Sequence, residues 1–179
     1  MTLETPRLIL RRWQTSDSEP FQRINSDPAV VEFLLKPLSL EESDSLMNRI
    51  EKHFDQFGFG LWALELKSSK ELIGFTGLSR PNFETHFTPC VEVAWRLAKA
   101  AWGKGLASEA ARAAIDFGFK NAGLEEIVSF TVPANLRSRA VMERIGMKRD
   151  LKGDFEHPNV PVGHPLRPHV LYRIKPGDP

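Results

Sequence analysis

Hydrophobic and polar positions group along this chain so that its elements separate one by one. Arg7–Trp13 sets Leu8 and Leu10 on one side of an extended run, which predicts a first strand. Asp17–Asn25 reads as a short helix and Pro28–Phe33 as a further turn of helix. Ser39 offers a side-chain cap, and Glu41 and Glu42 suit the positive end of a helix. From there Leu46, Ile50 and Phe54 recur at fourth positions, predicting a helix to about Phe57, broken by Gly58 and Gly60. Phe59–Leu66 and Leu72–Leu78 read as strands joined through Ser68–Ser69, and Val91–Leu97 as the next strand.

Leu106, Ala110, Ala113, Ala114 and Phe117 form one apolar helical stripe that stops at Gly123. Ile127–Val132 reads as a strand, and Asn135 to Ile145 as a helix with Val141 and Ile145 inward. Gly153–Pro168, with four prolines, reads as a long loop before a last strand at Val170–Ile174. The order predicts one mixed α/β (α+β) domain over residues 1–179, not a doubly wound nucleotide fold.

Composition narrows the function classes. A chain of 179 residues holds one domain with a real core and cramps a second. A net charge of +1 gives no global pull toward nucleic acid or an anionic membrane. No apolar run approaches the ~20 residues of a membrane span. The N-terminal stretch lacks an apolar signal core, so a cytoplasmic protein is expected. The single cysteine, Cys90, excludes an internal disulfide and fits a reducing compartment. His157, His164 and His169 cluster near the end of the chain, but their proline-spaced pattern does not show metal ligation, and no metal is expected.

The most informative stretch is Val91–Ala110, VEVAWRLAKAAWGKGLASEA. A strand runs into a turn holding Gly103, Lys104 and Gly105, and a helix opens at once. Glycines let the backbone come close to a ligand, and the free N–H groups of a first helical turn favour an anion. Two glycines in a turn are common; the strand–turn–helix context is what gives them weight.

Trp102-Gly103-Lys104-Gly105-Leu106-Ala107 resembles the acetyl-CoA pyrophosphate loop of the GNAT N-acetyltransferase superfamily, and WGKGLASEA resembles its RimJ/RimL-like branch. Val132 to Met147 resembles that branch's Asn-x-x-Ser…Glu-x-x-Gly pattern. The opening Thr5–Arg11 and the strand Leu72–Leu78 also look like it, so the likeness covers nearly the whole chain. Two departures stand out: Trp102 replaces the usual Gln or Arg of the loop, and Met142 stands where relatives outside this branch carry a tyrosine acid.

The resemblance implies a mostly antiparallel mixed sheet flanked by helices and splayed at an acetyl-CoA cleft. It also implies direct acetyl transfer from acetyl-CoA to an amine in a ternary complex. The acceptor would be a protein N-terminal α-amine or a small-molecule amine, and the chain a monomer or homodimer. The alternative is a non-catalytic acyl-CoA-binding sensor or regulatory module; a nucleic-acid-binding role for the Arg137–Arg149 patch is disfavoured by the charge balance.

Under this resemblance, Gly103 to Ser108 would cradle the pyrophosphate, with Leu106 and Ala107 in the first helical turn. Lys104 would meet phosphate or simply be solvated. The pantetheine arm would lie along Val93, Trp95 and Leu97, and a strand N–H near Ala94 or Trp95 would hold the oxyanion. Asn135 reads as a helix cap and as a pantetheine contact. Ser138 would assist departure of the thiolate, which needs only a weak acid; its bland reading is a solvated helix serine.

Arg139, with Arg137, Arg144 and Lys148, offers cations to the phosphates or forms a charged helix face. Glu92, opposite Val93 in the strand alternation, is the candidate general base; otherwise it is solvated or paired with Arg96. Cys90 reads as packing rather than as an acyl carrier. Glu156 or His157 is a further candidate base, and the Gly153–Pro168 loop is expected to shape the acceptor site. Trp13, Phe33, Phe59 and Trp62 line that site or belong to the core.

Overall fold

A computed structural model describes residues 2–178. An eight-stranded sheet runs through the molecule in the order β1-β2-β3-β4-β5-β6-β8-β7. Its strands are β1 (Leu3–Glu4), β2 (Leu8–Arg11), β3 (Leu61–Leu66), β4 (Leu72–Ser79), β5 (Glu92–Leu97), β6 (Ile127–Thr131), β7 (Lys148–Glu156) and β8 (Pro168–Ile174). Every neighbouring pair is antiparallel except β5 and β6. This is the mixed, mostly antiparallel architecture that the resemblance implied.

Helix α1 spans Ser18–Ser26, α2 Leu40–Phe57, α3 Leu106–Lys120 and α4 Leu136–Arg144. Ser39 caps α2 by accepting from the Glu42 N–H, while the Glu42 carboxylate accepts from the Ser39 N–H. These reciprocal bonds satisfy two backbone donors that a helix start leaves open. The apolar stripe of α3 packs on the sheet: Leu106, Ala110, Ala114 and Phe117 are buried in the main core with Leu8, Leu10, Trp62 and Val93. Met142 of α4 is buried in the same core beside Tyr172. On the opposite sheet face, Phe21 of α1 meets Phe75 edge-on, with ring centroids 6.0 Å apart.

Two readings of the sequence are corrected. Pro28–Phe33 forms turns and not a helix: Val30 and Val31 both donate to the Asp27 carbonyl, and no ladder follows. Gly153–Glu156 is not loop but the end of β7, which pairs with β8 and leaves only residues 157–167 between them. The two-residue β1 is too short to show an alternation in the sequence.

One feature of the sheet positions the site. Parallel strands β5 and β6 share a single paired position, Glu92 with Val128, and then diverge. Beyond that pair the edge of β5 facing β6 lacks a partner strand.

Candidate acetyl-CoA cleft and catalytic face

The divergence opens a cleft of about 560 Å³ between β5, the start of α3 and one face of α4. Backbone groups alternate sides along a strand. Ala98 N–H donates to Ile73 on the β4 side, whereas the Val91 carbonyl accepts from Val128 on the β6 side. The same alternation turns the backbone of Val93, Trp95 and Leu97 toward the open edge and that of Ala94 toward β4. Of the two positions expected to supply an oxyanion donor, the alternation therefore leaves Trp95 available and Ala94 committed to the ladder. The Leu97 carbonyl accepts from the Trp102 indole at 2.8 Å, which folds that ring against the strand.

The open edge leads directly to the Gly103–Gly105 loop. Gly105 has φ +74° and caps α3 without a side-chain hydrogen bond, and Gly103 has φ +71°. A Cβ at Gly103 would meet open space, and one at Gly105 would meet only Arg7 Nη2 at 3.6 Å. The positive φ, not crowding by protein, requires glycine here. Among the described residues, the N–H groups of Gly103, Lys104 and Gly105 make no backbone hydrogen bond. With the unpaired N–H groups that begin α3, they form a concave set of donors at the positive end of a fifteen-residue helix. A pyrophosphate fits that set.

The loop is clamped by a residue that the motif reading left without a role. Arg7 Nη1 donates to the Lys104 carbonyl at 2.8 Å, and its Nε donates to Glu109 in the first turn of α3 at 2.7 Å. Thr5 Oγ1 also donates to Glu109 at 2.6 Å. On the other wall, Arg144 Nη1 lies 3.4 Å from Ser108 Oγ and forms no ion pair among the described residues. Arg137 crosses the cleft mouth: it pairs with Glu32 at 2.6 Å and stacks over the Trp102 ring at 4.6 Å.

Helix α4 sorts the remaining expectations by its rotation. Asn135, Ser138, Val141 and Arg144 line the cleft. Asn135 Oδ1 accepts from the Ser138 N–H at 3.1 Å, and its Nδ2 donates to Thr131 Oγ1, so this side chain both caps the helix and stands at the cleft wall. The Ser138 hydroxyl is free of hydrogen bonds among the described residues. Arg139 turns away: its Nε donates to the Tyr172 hydroxyl and its Nη1 to the Pro133 carbonyl. It does not line the cleft, against the expectation that it binds cofactor. The Val93 side chain is fully buried, so only its backbone faces the cleft edge. The exposed Lys104 side chain is likewise outside the cleft lining. Gly103, Gly105, Leu106, Ala107, Ser108, Trp95, Leu97 and Trp102 all line the cleft.

Glu92 stands on the sheet face opposite α3, beside its ladder partner Ser79. It is neither freely solvated nor paired with Arg96. Burial pushes its carboxyl up to about 8, opposed by a hydrogen bond from Ser79. Arg96 instead donates to Asn25 Oδ1 at 2.6 Å and lies over the Phe75 ring, and burial without a counter-charge pulls it down to about 10. Burial, with the Glu92 charge nearby, pushes the Cys90 thiol up to about 11, which keeps it protonated. Trp13, Phe59 and Trp62 are buried in the core; Phe33 lies beside Arg137 at the cleft mouth. No group of three or more metal-ligating side chains occurs among the described residues. None of the described helices is long and apolar enough to cross a membrane.

Comparison with known proteins agrees with this geometry. Residues 7–148 match the acetyltransferase (GNAT) domain family. The uncharacterized N-acetyltransferase YnaD of Bacillus subtilis is 29% identical over 174 residues, covering 97% of this chain and 96% of that protein. A GNAT-family acetyltransferase structure from Bacillus anthracis superposes with a TM-score of 0.80 at 27% identity, covering 98% of each chain. A structure of RimL, a ribosomal L7/L12 α-N-protein acetyltransferase solved with coenzyme A, shares the fold with a TM-score of 0.78 at 16% identity, again over 98% of each chain. The chain belongs to the GNAT acetyltransferase family. It is an acetyl-CoA-dependent N-acetyltransferase, with acetyl-CoA as the acyl donor.

Proposed function

We propose that this enzyme acetylates a primary amine, on a small molecule or a protein N-terminus, by direct attack within a ternary complex in the cytoplasm. The observation that carries this reading is the continuity of the open β5 edge, the uncapped start of α3 and the facing Asn135 and Ser138 in one cleft. Bound there, acetyl-CoA supplies an activated thioester carbonyl. The α3 N–H groups and Arg144 hold its phosphates, and the backbone of Val93, Trp95 and Leu97 holds its arm as an added strand would.

Glu92 removes the proton that an ammonium must lose before its nitrogen can attack, directly or through one water. As the carbon–nitrogen bond forms, the Trp95 N–H stabilises the charge on the carbonyl oxygen. The carbon–sulfur bond then breaks, and the Ser138 hydroxyl donates a hydrogen bond to the departing sulfur. Holding both substrates in one geometry supplies much of the rate.

Two measurements test the reading. Calorimetric titration with acetyl-CoA and with CoA is expected to show micromolar binding, and amines are expected to cause thiol release. Absence of binding by either ligand refutes the site. Binding with no thiol release from any amine, and no change on Glu92→Gln or Ser138→Ala, identifies a sensor and not an enzyme.

A further inference from the structure

Ladder pairing fixes what else shares a face with Glu92. Its partners Ser79 and Val128 stand on the sheet face opposite α3. Phe130 lies two residues along β6 on that same face. Phe130 pairs with Leu171, which places His169 there too, and His169 pairs with Phe155. Because β5 and β6 do not pair beyond Glu92, Ala94 and Phe130 flank the opening on this side.

Phe83, Phe130, Phe155, His157 and His169 are all half-buried, and their rings meet one another. His157 is 4.7 Å from Phe83 and 5.0 Å from His169, while Phe130 is 5.4 Å from Phe155 and 5.8 Å from Phe83, between ring centroids. Phe87 is buried beneath, 4.8 Å from Phe155. Phe83, Phe130 and Phe155 pack on a small core of Phe87, Val128 and Leu171. All five rings keep part of their surface open along the same face as the half-buried Glu92 carboxylate.

The charges around this surface point to one kind of occupant. Arg167 is held by Glu156 and the Val160 carbonyl, Arg173 by Glu126 and Asp150, and Arg149 by Asp154. Arg80 lies over the Phe57 ring, and Arg96 is turned to Asn25. Arg80 and Arg96 have no carboxylate partner among the described residues, but their contacts are with Phe57, Asn25 and Phe75 and not with the five rings. Burial lowers both histidines, His157 to about 4, so both are neutral at pH 7 and do not repel a cation. His169 Nδ1 donates to the Arg167 carbonyl, which leaves Nε2 as an acceptor.

We propose that this ring surface, continuous with Glu92, carries the body of the acceptor, and that the acceptor is an arylalkyl primary amine with no carboxylate beside its nitrogen. The proposal rests on the reading that the Glu92 face is the acceptor side. Aromatic faces attract both an aryl group and an ammonium. A carboxylate beside the nitrogen would be a like charge to the ionised form of Glu92, the form that takes the proton.

The test compares 2-phenylethylamine, phenylalanine, ethylamine and a peptide beginning with phenylalanine by thiol release from acetyl-CoA. 2-Phenylethylamine is expected to exceed each of the others at least tenfold in kcat/KM. Phe83→Ala and His157→Ala, each checked for folding by circular dichroism, are expected to erase that preference through KM. Equal or faster reaction of ethylamine, phenylalanine or the peptide overturns the proposal while leaving the enzyme reading intact.

If no amine reacts, the enzyme reading falls, and calorimetry on the CoA-bound protein decides the ring surface by itself. Binding of 2-phenylethylamine that weakens at least tenfold in Phe83→Ala supports the proposal. No binding, or equal binding to both proteins, overturns it.

Discussion

Glu92→Gln separates catalysis from stability on a single carboxyl. Burial holds the Glu92 carboxyl near 8, against 4.5 for an ordinary glutamate. With that value about one-tenth of the molecules carry the base form at pH 7 and about nine-tenths at pH 9. Gln keeps the shape but cannot take a proton. The variant is expected to lose about 10²–10⁴ in kcat/KM. The acceptor's own ionisation affects both proteins equally, so the diagnostic quantity is the ratio of wild type to variant. That ratio is expected to rise about tenfold between pH 7 and pH 9.

The same group weakens the fold at alkaline pH. The folded chain binds this proton more tightly than the unfolded chain does, so stability is full below 4.5 and is lost as pH rises through about 8. The whole difference between the two values corresponds to about 5 kcal/mol, and the partial exposure of Glu92 to water reduces the measurable part to about 1–3 kcal/mol. Gln stays neutral, so the variant is expected to unfold at a higher temperature than wild type at pH 9 and at the same temperature near pH 4. Thermal unfolding at the two pH values, with thiol-release kinetics between pH 6 and 9.5, reads both effects. A rate ratio that is flat with pH, together with equal melting at pH 9, refutes the assignment of Glu92 as a base raised by desolvation.

Gly105→Asp is expected to abolish CoA binding in calorimetry, because it drives a carboxylate into the phosphate donors; aspartate tolerates positive φ better than most residues, so the fold is expected to persist. Arg7→Gln releases the clamp between the loop and α3, and is expected to raise the KM for acetyl-CoA about tenfold, while this half-exposed pair changes stability by less than about 1 kcal/mol in urea unfolding. Ser138→Ala is expected to lower kcat about 10–10²-fold with an unchanged calorimetric Kd for acetyl-CoA, the signature of a group that acts on the leaving sulfur. Asn135→Ala removes the α4 cap and is expected to cost about 1 kcal/mol in urea unfolding, with weaker acetyl-CoA binding alongside.

The parts of this molecule legible in its sequence are those whose physics is local. Ser39 and Glu42 cap a helix within one turn, and Gly103 and Gly105 supply positive φ at the start of another. β7 escaped because its residues do not alternate: Leu151 is 82% exposed and Gly153 is buried, and an irregularity between Asp150 and Phe155 breaks the register. Ion pairs such as Asp150–Arg173 hold that strand to its neighbour where an apolar stripe would normally do so. Arg139 belongs to a locally basic stretch with Arg137, Arg144 and Lys148, which suggests phosphate contacts, yet one residue on from Ser138 is about 100° of helix rotation, enough to carry Arg139 to Tyr172.

The division between what could and could not be read follows the chemistry of the two ligands. A pyrophosphate is held by backbone groups of consecutive residues, so its cradle is written as a contiguous motif. The ring surface beside Glu92 is assembled from side chains at positions 83, 130, 155, 157 and 169, on a loop, three strands and a loop end. Only the registers of β6, β7 and β8 bring them together. The histidines clustered late in the chain were the one local sign of that surface. Discrimination among amines should therefore change with substitutions that leave the acetyl-CoA motif untouched, because each side of the opening is built from different elements and shares little more than the divergence of β5 from β6.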